Sequence, residues 1–214
     1  MTEYWQERDR MVNEQLIQRG IADERVLEVM RRVPRHLFVE ASLRDQAYDD
    51  GPLPIGRSQT ISQPYMVALM AEALELKGHE KVLEVGTGSG YEAAVLAELC
   101  AQLISVERLE DLARQARERL TALGYRNVQI LVGDGTLGCK EYEPYDAIVV
   151  SAASPVIPRP LVEQLTPGGS LVLPIGEEDL QSLVRLRKTE GKLNEDYLGE
   201  CRFVKLIGTH GWET

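Results

Sequence analysis

Lys81-Val82-Leu83-Glu84-Val85-Gly86-Thr87-Gly88-Ser89-Gly90-Tyr91 is the stretch whose reading decides the fold. A short apolar run enters a glycine-rich turn, and an alanine-rich segment from Tyr91 to Leu99 follows. This is the pattern of a strand, a tight turn and a helix start. Glycines suit such a turn because it needs positive φ and lets a ligand approach the backbone. The first N–H groups of the helix are unpaired and favour an anionic group. The spacing is GxGxG with Glu84 two residues ahead. It is not GxGxxG, because Tyr91 stands where that pattern wants glycine, and no Gly-Lys-Ser/Thr follows to make a P-loop. Taken alone, the turn fits a nucleotide site and a plain structural βα connection.

The chain after Lys81 alternates. Strands are expected at Val82–Val85, Gln102–Val106, Val128–Val132, Tyr145–Val150 and Ser170–Leu173. Helices are expected at Tyr91–Leu99, Leu109–Leu123 and Pro158–Leu165. Tyr145–Val150 is almost wholly apolar, as in a strand covered on both faces. Ahead of this unit, Glu3–Arg19 has loose helical spacing, with Thr2 as a cap and Gly20 as its end. Asp23 is placed to cap a second helix, which Pro34 stops, and Arg35–Val39 suits a short helix or turn. Behind it, Ser182–Arg187 and Glu200–Ile207 read as an antiparallel pair with a charged, turn-rich stretch between them. The fold class is therefore α/β: a doubly wound, mostly parallel sheet with an N-terminal helical extension and C-terminal antiparallel strands. One domain covers 1–214. It divides into an extension (1–45), a loop (46–64), an α/β core (65–176) and closing strands (177–214).

Ala47 to Pro64 is the unusual segment. Its glycines, prolines and hydroxyl residues rule out one regular element, and long ordered loops in compact domains are often functional. A helix from Tyr65 to Leu76 follows it. Ser62 fits the N-cap and Pro64 the first turn, which offers a purely structural account of Ser62.

Composition narrows the function. The net charge is −10, which disfavours broad affinity for nucleic acid. No apolar run reaches the ~20 residues needed to span a bilayer. The first ten residues are charged and lack a signal core, so a cytoplasmic protein is expected, with no membrane partner. Cys100, Cys139 and Cys201 are far apart and form no CxxC pair, so they read as small hydrophobes. His36, His79 and His210 are equally scattered, and no metal site is expected.

In open α/β sheets, ligands bind at the carboxyl ends of the strands. Glu84–Gly90, Glu107 and Asp134 all fall at such ends. Glu107, at the tip of the second strand, is placed to take ribose hydroxyls, and Asp134 to accept from an adenine amino group. An acidic rim suits a cationic ligand better than a diphosphate. That favours S-adenosylmethionine over NAD, and Leu83–Gly90 with Glu107 and Asp134 resembles the cofactor site of Rossmann-like methyltransferases. The resemblance extends the cofactor set to Glu84, Gly86, Thr87, Gly88, Ser89, Gly90, Glu107, Arg108, Asp134 and Gly135.

Ser151-Ala152-Ala153-Ser154-Pro155 replaces the Asn/Asp-Pro-Pro-Tyr/Phe segment of amino methyltransferases, and no cysteine follows proline as in cytosine-C5 enzymes. Val33-Pro34-Arg35-His36-Leu37-Phe38-Val39, Ala47-Tyr48, Asp50, Leu53-Pro54-Ile55-Gly56 and Gln59-Thr60-Ile61-Ser62-Gln63-Pro64-Tyr65 closely resemble the protein-L-isoaspartate O-methyltransferase family. So do Gly133-Asp134-Gly135, Tyr145–Val150, Pro167-Gly168-Gly169 to Gly176, and Arg202-Phe203-Val204. Two positions depart from the family's usual pattern: Ser58 stands for a glycine and Lys205 for a proline.

The resemblance implies methyl transfer from S-adenosyl-L-methionine to the α-carboxylate of L-isoaspartyl residues in peptides and proteins. The ester then collapses to a succinimide without the enzyme. It implies Ser62 as the catalytic residue with Thr60 in support, and substrate contacts are expected from Ile55, Gln59 and Ile61; the position of the closing strand and the class of substrate add Val204, and a monomer is expected. A carboxylate of pKa near ~3.5 is already ionised at neutral pH, so no strong base is required. A small-molecule methyltransferase on the same fold, and a binding protein without catalysis, are the alternative readings.

Overall fold

A computed structural model describes residues 4–189 and 192–213; Thr2, the expected cap of the first helix, lies outside them. The core is a seven-stranded sheet built from β3 (Lys81–Val85), β4 (Gln102–Glu107), β5 (Val128–Val132), β6 (Tyr145–Val150), β7 (Leu165–Gly176), β8 (Gln181–Thr189) and β9 (Lys192–Cys201). The order is β5-β4-β3-β6-β7-β8-β9. The first five strands run parallel, and β8 and β9 close the sheet antiparallel. Chain order reverses at β3, between β4 and β6. That is the switch point, and the glycine turn leaves β3 there.

Alternate residues along the strands build two cores, one on each face. Val82, Leu103, Ala147, Val149 and Val172 face the helices α3 (Pro64–Ala73), α4 (Tyr91–Ala97) and α5 (Glu110–Ala122). Leu83, Val85, Ile104, Ile148 and Leu171 face α6 (Arg159–Glu163) and the segment around Leu206. Cys100 and Cys201 are buried, and Cys139 is half-buried against the second core.

The extension packs on the α3 and α4 side. Its first helix changes pitch along its length: α1 (Trp5–Arg10) passes into a π-helical stretch (Met11–Leu16) and a 3-10 turn (Ile17–Arg19) that ends at Gly20 with φ 96°. α2 (Glu24–Arg32) is capped by Asp23, whose side chain accepts from the Arg25 and Val26 amides. Met11, Leu16, Val26, Leu27 and Met30 are buried, each contributing about 1.5–3 kcal/mol if fully withdrawn from water.

The tail needs a correction. The second closing strand is Lys192–Cys201, not Glu200–Ile207. Residues beyond Cys201 cross irregularly back to the core, touching it through a single bridge from Lys205 to Ala153, and the tail closes on itself through one from Ile207 to Trp212. β9 is an edge strand with a largely exposed, charged surface, so it carries no apolar alternation to reveal it.

The 47–64 loop also holds more order than its composition suggests. β1 (Leu53–Gly56) and β2 (Gln59–Ile61) form a small antiparallel hairpin. Its turn residues, Arg57 and Ser58, have φ of 54° and 56°. Both positions of such a turn favour glycine or asparagine. Ser58→Gly is therefore expected to raise stability by about 0.5–1 kcal/mol, read as a higher denaturation midpoint at unchanged m-value. A lowered midpoint would show that Ser58 is held by something other than backbone geometry.

Candidate active site

Two clefts meet at the carboxyl ends of β3, β4 and β6. The narrow one is lined by Gly86, Thr87, Gly88, Ser89, Glu92, Glu107, Arg108, Gly135 and Ser151. The wide one runs between α3 and the closing strands, over Tyr65, Met66, Leu198, Arg202 and Phe203, with a volume of about 1050 Å³. Gln59, Thr60, Ser62, Ser151, Val204, Lys205 and Ile207 stand on the walls of both. A group passed from one cleft to the other crosses this shared wall.

The glycine turn forms the floor of the narrow cleft. Gly90 has φ 87° and directly precedes α4; a β-carbon there would sit 3.2 Å from that of Ala116. Glycine at 90 thus serves the approach of α5 rather than the cleft wall. Glu107 fastens the turn: its Oε2 accepts from the Gly88 amide at 2.9 Å and its Oε1 from the Leu109 amide at 2.8 Å. Each carboxylate oxygen keeps a further lone pair for a ligand hydroxyl.

Two acids expected on the rim are placed otherwise. Glu84 is wholly buried beneath the turn and accepts from the Ser105 hydroxyl, which also contacts Thr87. Burial first, then the neighbouring Glu92 charge, pushes its carboxyl well above the usual range. Asp134 accepts from the amide and hydroxyl of Thr136 and from the amide and hydroxyl of Thr209. Those bonds outweigh its desolvation and lower its pKa. Asp134 pins the C-terminal segment to the end of β5, and it is Gly135 beside it that reaches the cleft.

Ser62 does not cap α3. Pro64 occupies the first helical position, so Gln63 is the N-cap residue, and its side chain makes no cap bond. The Ser62 hydroxyl is half-buried on the shared wall and makes no hydrogen bond within the chain among the described residues. Thr60 and Gln59 stand beside it. Ile61 lines the narrow cleft, whereas Ile55 packs towards Gly88 and does not line the wide one. Val204 reaches both clefts.

The extension holds this loop in place. Arg35, fully buried, donates from Nε to the Ala47 carbonyl at 2.7 Å and lies over the Tyr91 ring. Burial lowers its pKa to about 10, which leaves it charged at neutral pH. His36 Nδ1 lies 2.8 Å from the Tyr48 hydroxyl. Arg19 stacks on Tyr65 and pairs with Asp50, to which Gln63 also donates.

Glu92 is the site residue that the sequence pattern passed over. It sits in the first turn of α4, is 7% exposed, and accepts from the Ser151 hydroxyl at 2.6 Å. Its other oxygen has no partner among the described residues. An acid amid Ala93, Ala94, Val95 and Leu96 was the available signal.

The strand order, the glycine turn at the switch point and the acid at the end of β4 define a Rossmann-like methyltransferase. The family model for protein-L-isoaspartate(D-aspartate) O-methyltransferase (PCMT) matches residues 6–211. The chain is 57% identical to a protein-L-isoaspartate O-methyltransferase of Syntrophus aciditrophicus over 99% of both chains. It is 56% identical to one of Methanoculleus marisnigri, covering 97% of this chain and 94% of that one. Among solved structures, a Plasmodium falciparum protein described as a protein-L-isoaspartate O-methyltransferase, in complex with S-adenosyl-L-homocysteine, superposes with a TM-score of 0.80 at 28% identity, covering 94% of this chain and 98% of that one. The chain belongs to the protein-L-isoaspartate(D-aspartate) O-methyltransferase family.

Proposed function

We propose that this protein methylates the α-carboxylate of L-isoaspartyl residues in damaged peptides and proteins, using S-adenosyl-L-methionine as methyl donor. The observation that carries this reading is the shared wall: the hydroxyl residues Ser62 and Thr60, whose hydroxyls make no hydrogen bond among the described residues, line both a narrow acidic cleft and a wide groove. The narrow cleft fits a cationic adenosine ligand. Its floor is glycine backbone, Glu107 has lone pairs to spare, and Glu92 keeps an unpartnered oxygen. When bound, the donor supplies a methyl group activated by a positive sulfur. The groove, at about 1050 Å³, lies just above the ~300–1,000 Å³ range of small-molecule pockets. That favours a peptide segment over a small acceptor.

The chain's own part in the chemistry is alignment. The acceptor carboxylate is ionised at neutral pH, so no residue need remove a proton. Ser62, with Thr60 beside it, donates a hydrogen bond that holds the carboxylate at the junction. Correct orientation is worth up to ~7–11 kcal/mol in favourable cases. Ile61 and the loop hairpin cover the junction and exclude water. The described parts of segment 1–45 brace the loop, 46–64 presents the acceptor, 65–176 holds the donor and the described parts of 177–214 close the groove. With a net charge of −10, and no helix among the described residues long and apolar enough to cross a membrane, the reading is of a cytoplasmic monomer that acts on proteins rather than nucleic acid.

Peptide recognition rests in part on Val204. Its carbonyl is taken by the Ala153 amide at 2.7 Å, its own N–H has no partner among the described residues, and the residue lines both clefts. That N–H is offered to the peptide main chain, which gives recognition tolerant of sequence. Val204→Pro is expected to raise KM for an isoaspartyl peptide about tenfold without changing donor affinity, the worth of one hydrogen bond. An unchanged KM in the folded variant contradicts this.

The function itself is tested by labelled methyl transfer to an isoaspartyl peptide and to its aspartyl twin. Label is expected on the first alone, and should be lost in mild base as an ester is. Equal labelling of both, or a base-stable product, would overturn the reading.

A further inference from the structure

The floor of the narrow cleft holds buried acids that pair with no cation among the described residues. Glu84 rises from β3 and Glu92 from α4, and each keeps one carboxylate oxygen without a partner among the described residues. Glu107, from β4, adds its charge to the field at Glu84. The other titratable group facing Glu92 is the phenol of Tyr91, which burial keeps neutral. Two cations reach the cleft wall, Arg108 and Lys205. Arg108 is exposed, and Lys205 pairs with Glu178 at 2.9 Å and lies over the Trp212 ring. Neither pairs with Glu92 or Glu84 among the described residues.

Position makes Glu92 the more informative of the two. Glu84 is sealed beneath the turn, whereas Glu92 is on the cleft wall. It is one hydrogen bond from Ser151, and Ser151 stands with Ser62 on the wall shared by both clefts. The Glu92 carboxylate is thus one hydrogen bond from the wall that the methyl group must cross. A low-dielectric wall with an unpaired carboxylate favours a positive group and gains nothing from a neutral one. The donor and its demethylated product share the adenosine and the amino-acid end. They differ at the sulfur, which is a cation in the donor and a neutral thioether in the product.

We infer that Glu92 is a positioning residue that holds the sulfonium end of S-adenosyl-L-methionine by charge and so makes the site discriminate the donor from S-adenosyl-L-homocysteine. The inference rests on the proposed reading that the narrow cleft holds the donor. Its consequence is directional. Once the acceptor oxygen has bonded to the methyl carbon and the S–C electron pair has stayed on sulfur, Glu92 faces an uncharged centre. It then has no cation to hold, and below about pH 7 it takes up a proton as well.

The test is calorimetric titration of the full chain, without peptide, with each of the two ligands from pH 6 to pH 8. The ratio of product Kd to donor Kd cancels everything the ligands share. In the wild type the ratio is expected to rise several-fold across this range, as Glu92, pushed up to about 7 by burial, ionises. In Glu92→Gln, which keeps an acceptor for Ser151, it is expected to be about tenfold lower at pH 8 and flat with pH. A ratio indifferent to pH in the wild type, or unchanged in the variant, would overturn the inference and leave the methyltransferase reading standing. Failure of the wild type to bind either ligand would overturn that reading itself. The wild-type series needs no variant, so the inference is testable whatever the substitution does to folding.

Discussion

Ser62→Ala is expected to lower kcat on an isoaspartyl peptide about 100-fold, close to ~2.7 kcal/mol, while donor affinity and melting temperature stay near wild type. The reasoning begins with what Ser62 does not do. It caps no helix, because Pro64 starts α3 and Gln63 holds the cap position. Its hydroxyl makes no hydrogen bond within the chain among the described residues, so its removal leaves no buried group unsatisfied. Its remaining use is toward what lies in the clefts. A hydroxyl that only bound the acceptor would move KM; one that fixes the angle of attack moves kcat. Wild-type kcat in the folded variant would mean that Thr60 or the backbone aligns the carboxylate instead.

A second large effect concerns stability. Glu92 is buried, and its carboxyl is pushed from the ordinary 4.5 up to about 7, with the Ser151 hydrogen bond only partly opposing burial. A folded-state pKa raised above the unfolded one means that the folded chain holds a proton the unfolded chain has released. Stability is therefore intact below about pH 4.5 and falls as pH rises, until the folded carboxyl has also ionised above about pH 7. The loss for this one group amounts to roughly 3 kcal/mol. Glu92→Gln is thus expected to melt several degrees above wild type at pH 8 without ligand, with the gap closing towards pH 5. A gap that is absent at pH 8, or that widens on acidification, would contradict the burial account of Glu92.

Where sequence reasoning succeeded, one local pattern had one physical outcome. Tyr145–Val150 is apolar at nearly every position, and it forms a strand with those bounds, covered on both faces. The run from Lys81 through Gly90 makes the strand and turn that its glycines require. It failed where the outcome depended on partners distant in sequence. Asp134 ends a strand as expected, yet Thr209, 75 positions away, takes its carboxylate. Glu84 shares the ligand motif, yet its side chain is buried beneath the turn and accepts from Ser105 on the neighbouring strand. Phe203, Val204 and Leu206 are apolar enough to read as strand, while the strand itself lies in the charged stretch before them. An edge that faces water has no core to impose alternation. In the loop, Arg57 and Ser58 form a hairpin turn without the glycine or asparagine that announces one.

On the proposed reading the turn after β3 holds the donor, and the loop before α3, with Ser62 on it, presents the acceptor. The most direct test is a competition. Isoaspartyl and aspartyl forms of one peptide are mixed in equal amounts with S-adenosyl-L-methionine and enzyme, and the products are sequenced by mass spectrometry. The account predicts a methyl ester on the isoaspartyl form, at its α-carboxyl, in wild-type reactions, and a strongly reduced yield of the same product with Ser62→Ala. Ester distributed over both forms, methyl on another atom, or full yield from the variant would contradict it.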